Sequence, residues 1–216
     1  RGVPDTNSPT LARAIENAGA VALPMGIARD SSDSLEEALA RIRGASPDIL
    51  LTTGGASMGA ADLVKPALAR AGYESDFWRV KIRPGSPFSF GRLPGPIHVF
   101  GLPGNPVSSF VTFQLLARPF LLALGGQDRR FCPVVRATAG EALTGARELA
   151  IFLRVRLDPA AARGSEGVGP AYVAHLTGPQ GSGLMNSLGI ADGLAVLPRG
   201  VERVETGEPV SVVLLG

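Results

Sequence analysis

Ser57, Asp62 and Lys65 fall close together in the run ILLTTGGASMGAADLVK (49–65), beside three closely spaced glycines. Within it, Gly55-Ala56-Ser57-Met58-Gly59 spells G-x-S-x-G, the pattern that places a nucleophilic serine on a sharp strand-to-helix turn. Gly54 and Gly59 also have the spacing that opens a triphosphate-binding loop. A triad would need an acid and then a histidine after Ser57, and the only histidines are His98 and His175. His98 sits inside the apolar run PIHVFGL, where strand alternation favours a structural role, and His175 falls in a β-rich region far along the chain. The triphosphate loop requires Lys then Ser or Thr after its second glycine; here Ala60-Ala61 follow. A third chemistry survives. A glycine turn feeding a helix offers backbone N–H groups and the positive end of a helix dipole, which suit a phosphate. Ser57 is then a hydrogen-bond donor, Asp62 a carboxylate in the first helical turn able to hold a metal, and Lys65 a cation one turn on.

Two further segments carry the same character. KIRPGSPFSFGRL (81–93) turns at Arg83-Pro84-Gly85-Ser86-Pro87, and GLPGNPVSS (101–109) turns at Gly104-Asn105 into a helix near Ser108. Three strand ends rich in Gly, Pro and hydroxyls belong along one sheet edge, where α/β sheets bind ligands.

The elements that position them read as two domains. In residues 1–127, helix and strand signals alternate: a helix capped by Ser8 with Pro9 first, a strand over Val21–Ile27, and a helix opened by the box Ser34-x-x-Glu37. DILLTT (48–53) reads as a buried parallel strand. A helix over Ala60–Ala71 and a long apolar helix over 106–126, bent at Pro119, follow the later turns. This pattern implies an α/β layer with a mostly parallel sheet. In residues 128–216, short β-like runs separated by Gly, Pro and Asp imply a small barrel or sandwich, with 161–171 as a hairpin loop.

Composition narrows the function. A 45% hydrophobic and 19% charged chain of net charge +2 has no nucleic-acid footprint by charge. Its two lysines against nineteen arginines are read as base-composition bias. No uninterrupted apolar run reaches the roughly 18 residues of a membrane span. Lone Cys132 excludes an intramolecular disulfide or cysteine-cluster metal site and fits a reducing cytoplasm. The start, Arg1-Gly2-Val3-Pro4-Asp5, has neither an initiator methionine nor a signal-peptide core, and reads as a fragment of a longer chain.

Taken together, Asp5-Thr6-Asn7, GIARD (26–30), TTGGASMGAADLVK (52–65), FWRVKIRPGSPFSFG (77–91) and FGLPGNPVSSFVTF (100–113) resemble the molybdopterin molybdenumtransferases, the MoeA/gephyrin E-domain family. TGPQGSGLMNSLGIADGLAVLP (177–198) and GEPVSVVLL (207–215) extend the resemblance over nearly the whole chain. It implies a MogA-like three-layer α/β domain followed by a small C-terminal β-barrel. It also implies insertion of molybdate into adenylylated molybdopterin, with Mg2+-dependent pyrophosphate cleavage and release of AMP. Matched residue by residue, Asp30 and Asp62 are the acidic and metal candidates. Gly54, Gly55, Ser57 and Gly59 line the phosphate or pterin pocket, joined by Lys65, Gly104 and Asn105. Arg79, Arg83, Ser86 and Ser108 fall where the family places groups for anionic substrates, and Arg154 matches an arginine of the barrel. The resemblance further implies two upstream domains, a homodimer in the full-length form, substrate hand-over from a MogA-like adenylyltransferase, and no nucleic-acid or membrane partner.

Three departures stand out. Lysines usual in the family are Arg79, Arg83 and Ser86 here, and the last removes a cation. Ala60-Ala61 replace a Gly–acid pair beside Asp62. An adenylyltransferase would share the glycine turn but not the barrel with its QGSG run, and the gephyrin branch alternatively serves as a peptide-binding module.

Overall fold

The computed structural model describes residues 4–54, 63–160 and 171–215. The turn 55–62, with Gly55, Ser57, Gly59 and Asp62, and the expected hairpin loop at 161–170 lie outside them. The chain separates into two compact units, 1–80 with 85–130, and 81–84 with 131–216.

The first unit contains α1 (Asn7–Asn17), α2 (Ser32–Ala45), β1 (Ile49–Thr53), α3 (Val64–Arg70) and β2 (Glu74–Trp78). After β3 (Ile82–Arg83), which groups with the second unit, come β4 (Ser89–Arg92), β5 (His98–Leu102), α4 (Pro106–Thr112), a π turn (Phe113–Ala117) and α5 (Arg118–Leu124). The sheet order is β1-β5-β4-β2. Three layers form because successive strand residues face opposite ways. Leu50 and Val99 pack with Leu35, Leu39 and Ile42 of α2 and Ala67 and Leu68 of α3. Phe100 and Leu102 pack on the other face with Leu11 and Ala14 of α1 and Phe113 and Ala117 of the π turn.

The sheet is mixed where a mostly parallel one was expected. Only β1–β5 is parallel among the described pairings; β4 runs antiparallel to both β5 and β2. The reason is local: only residues 93–97 join β4 to β5, and so short a link permits only a hairpin.

Four local expectations shift. Residues 21–27 form no strand; Val21 and Ile27 are 83% and 72% exposed. β1, which such a strand would flank, pairs only with β5, and an apolar groove of about 1080 Å3 is lined by both this segment and β1. Helix α1 is capped upstream of Ser8: the Asp5 carboxylate accepts from the Asn7 and Ser8 amides, both at 3.1 Å. Helix α2 begins at Ser32 with Ser31 as its cap, accepting from the Ser34 amide at 3.4 Å, so the box lies three residues earlier than expected. The described part of α3 starts at Val64 rather than Ala60.

The long helix is interrupted at the expected place by a different device. A π turn over Phe113–Ala117 admits one extra residue per turn and hands over directly to α5, whose second residue is Pro119. By length and composition Pro106–Leu124 would suit a membrane. Instead Val107, Val111, Phe113, Ala117 and Leu122 are buried in the fold, and that packing accounts for the apolar composition.

The second unit comprises β3, then β6 (Val134–Ala139), β7 (Leu143–Thr144), β8 (Ala150–Pro159), β9 (Tyr172–Leu176), α6 (Met185–Gly189), β10 (Gly193–Leu197), β11 (Arg203–Val204) and β12 (Pro209–Leu214). Strands β10-β12-β6-β9-β8 form one sheet, and a further β10–β8 pairing closes it into the expected barrel. Strand β8 permits closure by pairing with β10 through residues 151–155 and with β9 through 155–159. Closure leaves no open edge among these five strands. Its interior is small and branched: Ala137, Ala139, Ala174 and Ala195 alternate with Leu153, Val155, Leu197, Val210 and Val212.

Phe113 is 1% exposed within the second core of the first unit. Phe113→Ala is therefore expected to lower that unit's stability by about 3–5 kcal/mol. Denaturant unfolding followed by fluorescence of Trp78, the chain's only tryptophan, reads this unit alone; an unchanged midpoint would contradict the assigned packing.

Candidate functional site

The parallel pair β1–β5 delivers two turns to one place. Thr53 pairs with Leu102, and the Gly54 amide continues the ladder by donating to the Leu102 carbonyl at 3.2 Å. Gly54 has φ +84°, a conformation that glycine adopts freely. A Cβ on Gly104 would lie 3.5 Å from the Gly54 Cα, so the two turns are in contact. Asn7, in the first turn of α1, donates from Nδ2 to the Gly104 carbonyl at 2.8 Å and ties a third element to them. The Ser8 hydroxyl and amide, helped by the Asn7 amide against a small burial penalty, hold the Asp5 carboxyl below its ordinary range. Asp5, Ser8, Asp30, Thr52, Thr53 and Gly54 all line the same groove, together with apolar side chains of α2 and β1.

A second cluster surrounds Trp78. The Lys65 ammonium sits 3.2 Å from the centroid of its indole, a close cation–π contact. Arg79, the next residue, is exposed and has φ +74° with its amide bonded to the Phe88 carbonyl at 2.7 Å. A non-glycine residue held there costs of order 1–3 kcal/mol and is typical of functional loops. Lys65, expected to approach the glycine turn, is engaged by Trp78.

The remaining candidates are distributed. Ser86 is half-buried; its hydroxyl donates to the Val80 carbonyl at 3.1 Å and its carbonyl accepts from the Val80 amide, so it serves the turn. Ser108 is buried in α4, where its carbonyl accepts from the Thr112 hydroxyl at 2.8 Å. It is the third residue of α4 and so stands in the helix's first turn, with its side chain buried. Asn105 precedes Pro106 at the start of α4. Arg83 is exposed on β3, paired with Ile151 of the barrel. Arg154 is 1% exposed, and its Nη2 donates to the Pro179 and Gly181 carbonyls at 3.0 and 3.2 Å. Arg83 and Arg154 thus belong to the second unit; in the first, the Gly54 and Gly104 turns touch, and Gly54 and Asp30 line one groove.

Sequence reading passed over Asp5, Asn7, Trp78 and Gln180 as site residues. Asp5-Thr6-Asn7 carries a usable signal, because aspartate and asparagine cap and brace turns through side-chain-to-backbone bonds. His98 sits in an aromatic group, 4.7 Å from the Phe120 ring centroid and stacked on Phe90. That is the structural role expected of it. Among the described residues, no three His, Cys, Asp or Glu side chains converge on a metal-sized site.

Residues 1–123 match the family described as "Probable molybdopterin binding domain", and residues 136–215 match "MoeA C-terminal region (domain IV)". The chain belongs to the MoeA/gephyrin E-domain family. It is 33% identical over 218 residues to a molybdopterin molybdenumtransferase of Nostoc, covering 98% of this chain and 47% of that protein. It is 32% identical to a gephyrin of Dictyostelium discoideum, covering 98% of this chain and 33% of that one. Among solved structures, a molybdopterin biosynthesis MoeA protein from Pyrococcus horikoshii superposes with a TM-score of 0.76 at 29% identity, over 98% of this chain and 48% of that chain. The chain spans about half or less of the length of these curated relatives.

If Asp5 is the working cap of α1, Asp5→Ala should cost up to about 1 kcal/mol near neutral pH. Because its folded pKa is lowered, this contribution is present above the unfolded carboxylate value near ~3.9 and is lost as pH falls through the folded value. Variant and parent should converge in acid. A difference that persists at low pH would show that the effect is not the carboxylate's.

Proposed function

We propose that the protein carrying this chain inserts molybdenum into adenylylated molybdopterin, cleaving the pyrophosphate with Mg2+ and releasing AMP. The observation that carries this reading is the contact of the Gly54 and Gly104 turns, braced by Asn7, with Gly54 on a groove that Asp30, Thr52 and Thr53 also line. Glycine turns let a bulky polyanion approach backbone N–H groups that no side chain screens.

The donor set suits magnesium. Asp30, Thr52 and Thr53 supply only hard oxygen donors, and Mg2+ takes one or two carboxylates while keeping several waters. Asp30 and Asp62 are the residues that would hold it. Bound there, the ion supplies charge neutralisation for the breaking phosphoanhydride, the term that dominates phosphoryl chemistry. This chain's residues do the rest. The turns at Gly54 and Gly104 cradle phosphate oxygens, joined by Gly55, Ser57 and Gly59 from the same run, and Asn105 edges the second turn. Arg79 and Lys65, gathered around Trp78, supply cations for the phosphates, and Arg83 supplies a guanidinium for the tetrahedral molybdate oxyanion. The Ser86 hydroxyl is engaged by the Val80 carbonyl, whereas Ser108, in the first turn of α4, supplies a hydroxyl for the anionic substrate.

The family also supports a homodimer, a pterin received from a MogA-like adenylyltransferase, and work in the cytoplasm without nucleic acid or membrane.

In the intact protein, Asp62→Ala should lower the rate of AMP release by about a hundredfold or more while calorimetry still detects molybdopterin binding. AMP release at the parent rate would sink the assignment of Asp62.

A further inference from the structure

In the first unit, the helix layers on both faces of the sheet reach past its last strand. The groove beside β1 is lined by Ile15 of α1 and Phe113 of the π turn from one layer, and by Leu39 of α2 and Leu68 of α3 from the other. All of β1 lines it, and so do residues 21–28. A space with a strand along one side and helices over both faces has the form of a sheet position, since neighbouring strands lie about 4.8 Å apart between their covering layers. The hydrogen bonding of β1 agrees. The His98 amide donates to the Asp48 carbonyl and the Gly54 amide to the Leu102 carbonyl, so the even-numbered residues face β5. A parallel strand bonds its two neighbours through alternate residues, which leaves the backbone groups of Ile49, Leu51 and Thr53 facing the groove. Among the described strands β1 pairs only with β5. Sheet edges are ordinarily blunted by charges, proline or bulges, and ILLTT has neither charge nor proline. Across the groove, Val21, Leu23 and Ile27 are 83%, 52% and 72% exposed.

We infer that a parallel β-strand of the intact protein fills this groove, bonded to Ile49, Leu51 and Thr53 on one side and lying beside residues 21–27 on the other. The stretch that leads into Arg1 supplies it. Asp5 and Ser8 line the groove, so residues joined directly to them enter it without a linker. Asn7 bonds the Gly104 carbonyl at the edge where β1 and β5 both end. A strand passing from the groove into α1 therefore finishes at that edge, and runs parallel to β1. Cover on both faces predicts a continuous apolar run in place of alternation, roughly the length of the five-residue β1. The chain covers 47% and 50% of two molybdenumtransferase relatives, which leaves the intact protein residues from which to draw the strand. Nothing in this depends on the activity proposed above.

Amide hydrogen exchange in the intact protein reads the groove edge directly. The Leu51 and Thr53 amides should be as protected as those of Leu50 and Thr52, which face β5, and equally so at every protein concentration. Exchange at Leu51 and Thr53 faster by about tenfold or more, the loss of a ladder bond, would show an open edge and overturn the inference. The occupant is identified by placing a photoreactive phenylalanine analogue at Leu23. It should cross-link, within one molecule, to the residues that precede Arg1. Capture of a second copy, with protection that rises with concentration, would make the groove a dimer contact. Capture of any other part of the molecule would remove the upstream stretch as the source. Either result overturns the assignment.

Discussion

The parallel pairing of Ile49–Thr53 with His98–Leu102 is the constraint on which the first unit depends. It buries Val99 at 1% and Leu102 at 0% on opposite faces and thereby joins both cores. Burying side chains of this size contributes roughly 1.5–3 kcal/mol each. Its polarity also matters chemically. Because the strands run the same way, both end at the same edge, and one extra ladder bond at Gly54 brings the two turns into contact. An antiparallel pair would have sent them to opposite ends. The site is a consequence of strand direction first and of residue identity second.

The barrel solves a different problem with a buried charge. Closing five strands removes edge hydrogen bonds from competition, but the run TGPQGSGL between β9 and α6 has no ladder to hold it. Its glycines carry no side chains with which to pack. The polar bracket of Arg154 and Gln180 takes the place of both, which explains why an arginine occupies a position with almost no exposure. Isolated burial of such a charge is costly; here carbonyl acceptors offset part of that cost.

Most of the architecture was legible in the sequence. The capped helices, the buried strand ILLTT, the break before Pro119 and the short strands of the second half were read from period, turn residues and apolar runs, and each corresponds to an element. What escaped was non-local. Nothing within Val21–Ile27 says whether a neighbouring strand exists to pair with it; an apolar alternating run without a partner stays exposed. Nothing in SFGRLPGPIHVF settles strand direction except the shortness of its link. Glycines and aspartates stand out in the sequence because their types announce anion chemistry. A hydroxyl announces a donor without saying whether the backbone has claimed it, as the Val80 carbonyl claims that of Ser86. Trp78 and Gln180 carry no such announcement, since their roles exist only through Lys65 and Arg154.

The π turn at Phe113–Ala117 has an evolutionary reading. Each residue in a helix advances the side-chain direction by about 100°, so one extra residue rotates everything downstream by that amount. It is this phase that aims Phe120 at Phe90, His98 and Phe100, whose ring centroids lie 4.7 to 5.6 Å from its own. Relatives that dropped one residue here would keep every amino acid of the aromatic group and still scatter it. Helix length in this stretch is therefore a packing constraint in its own right, separate from the identity of the residues that fill it.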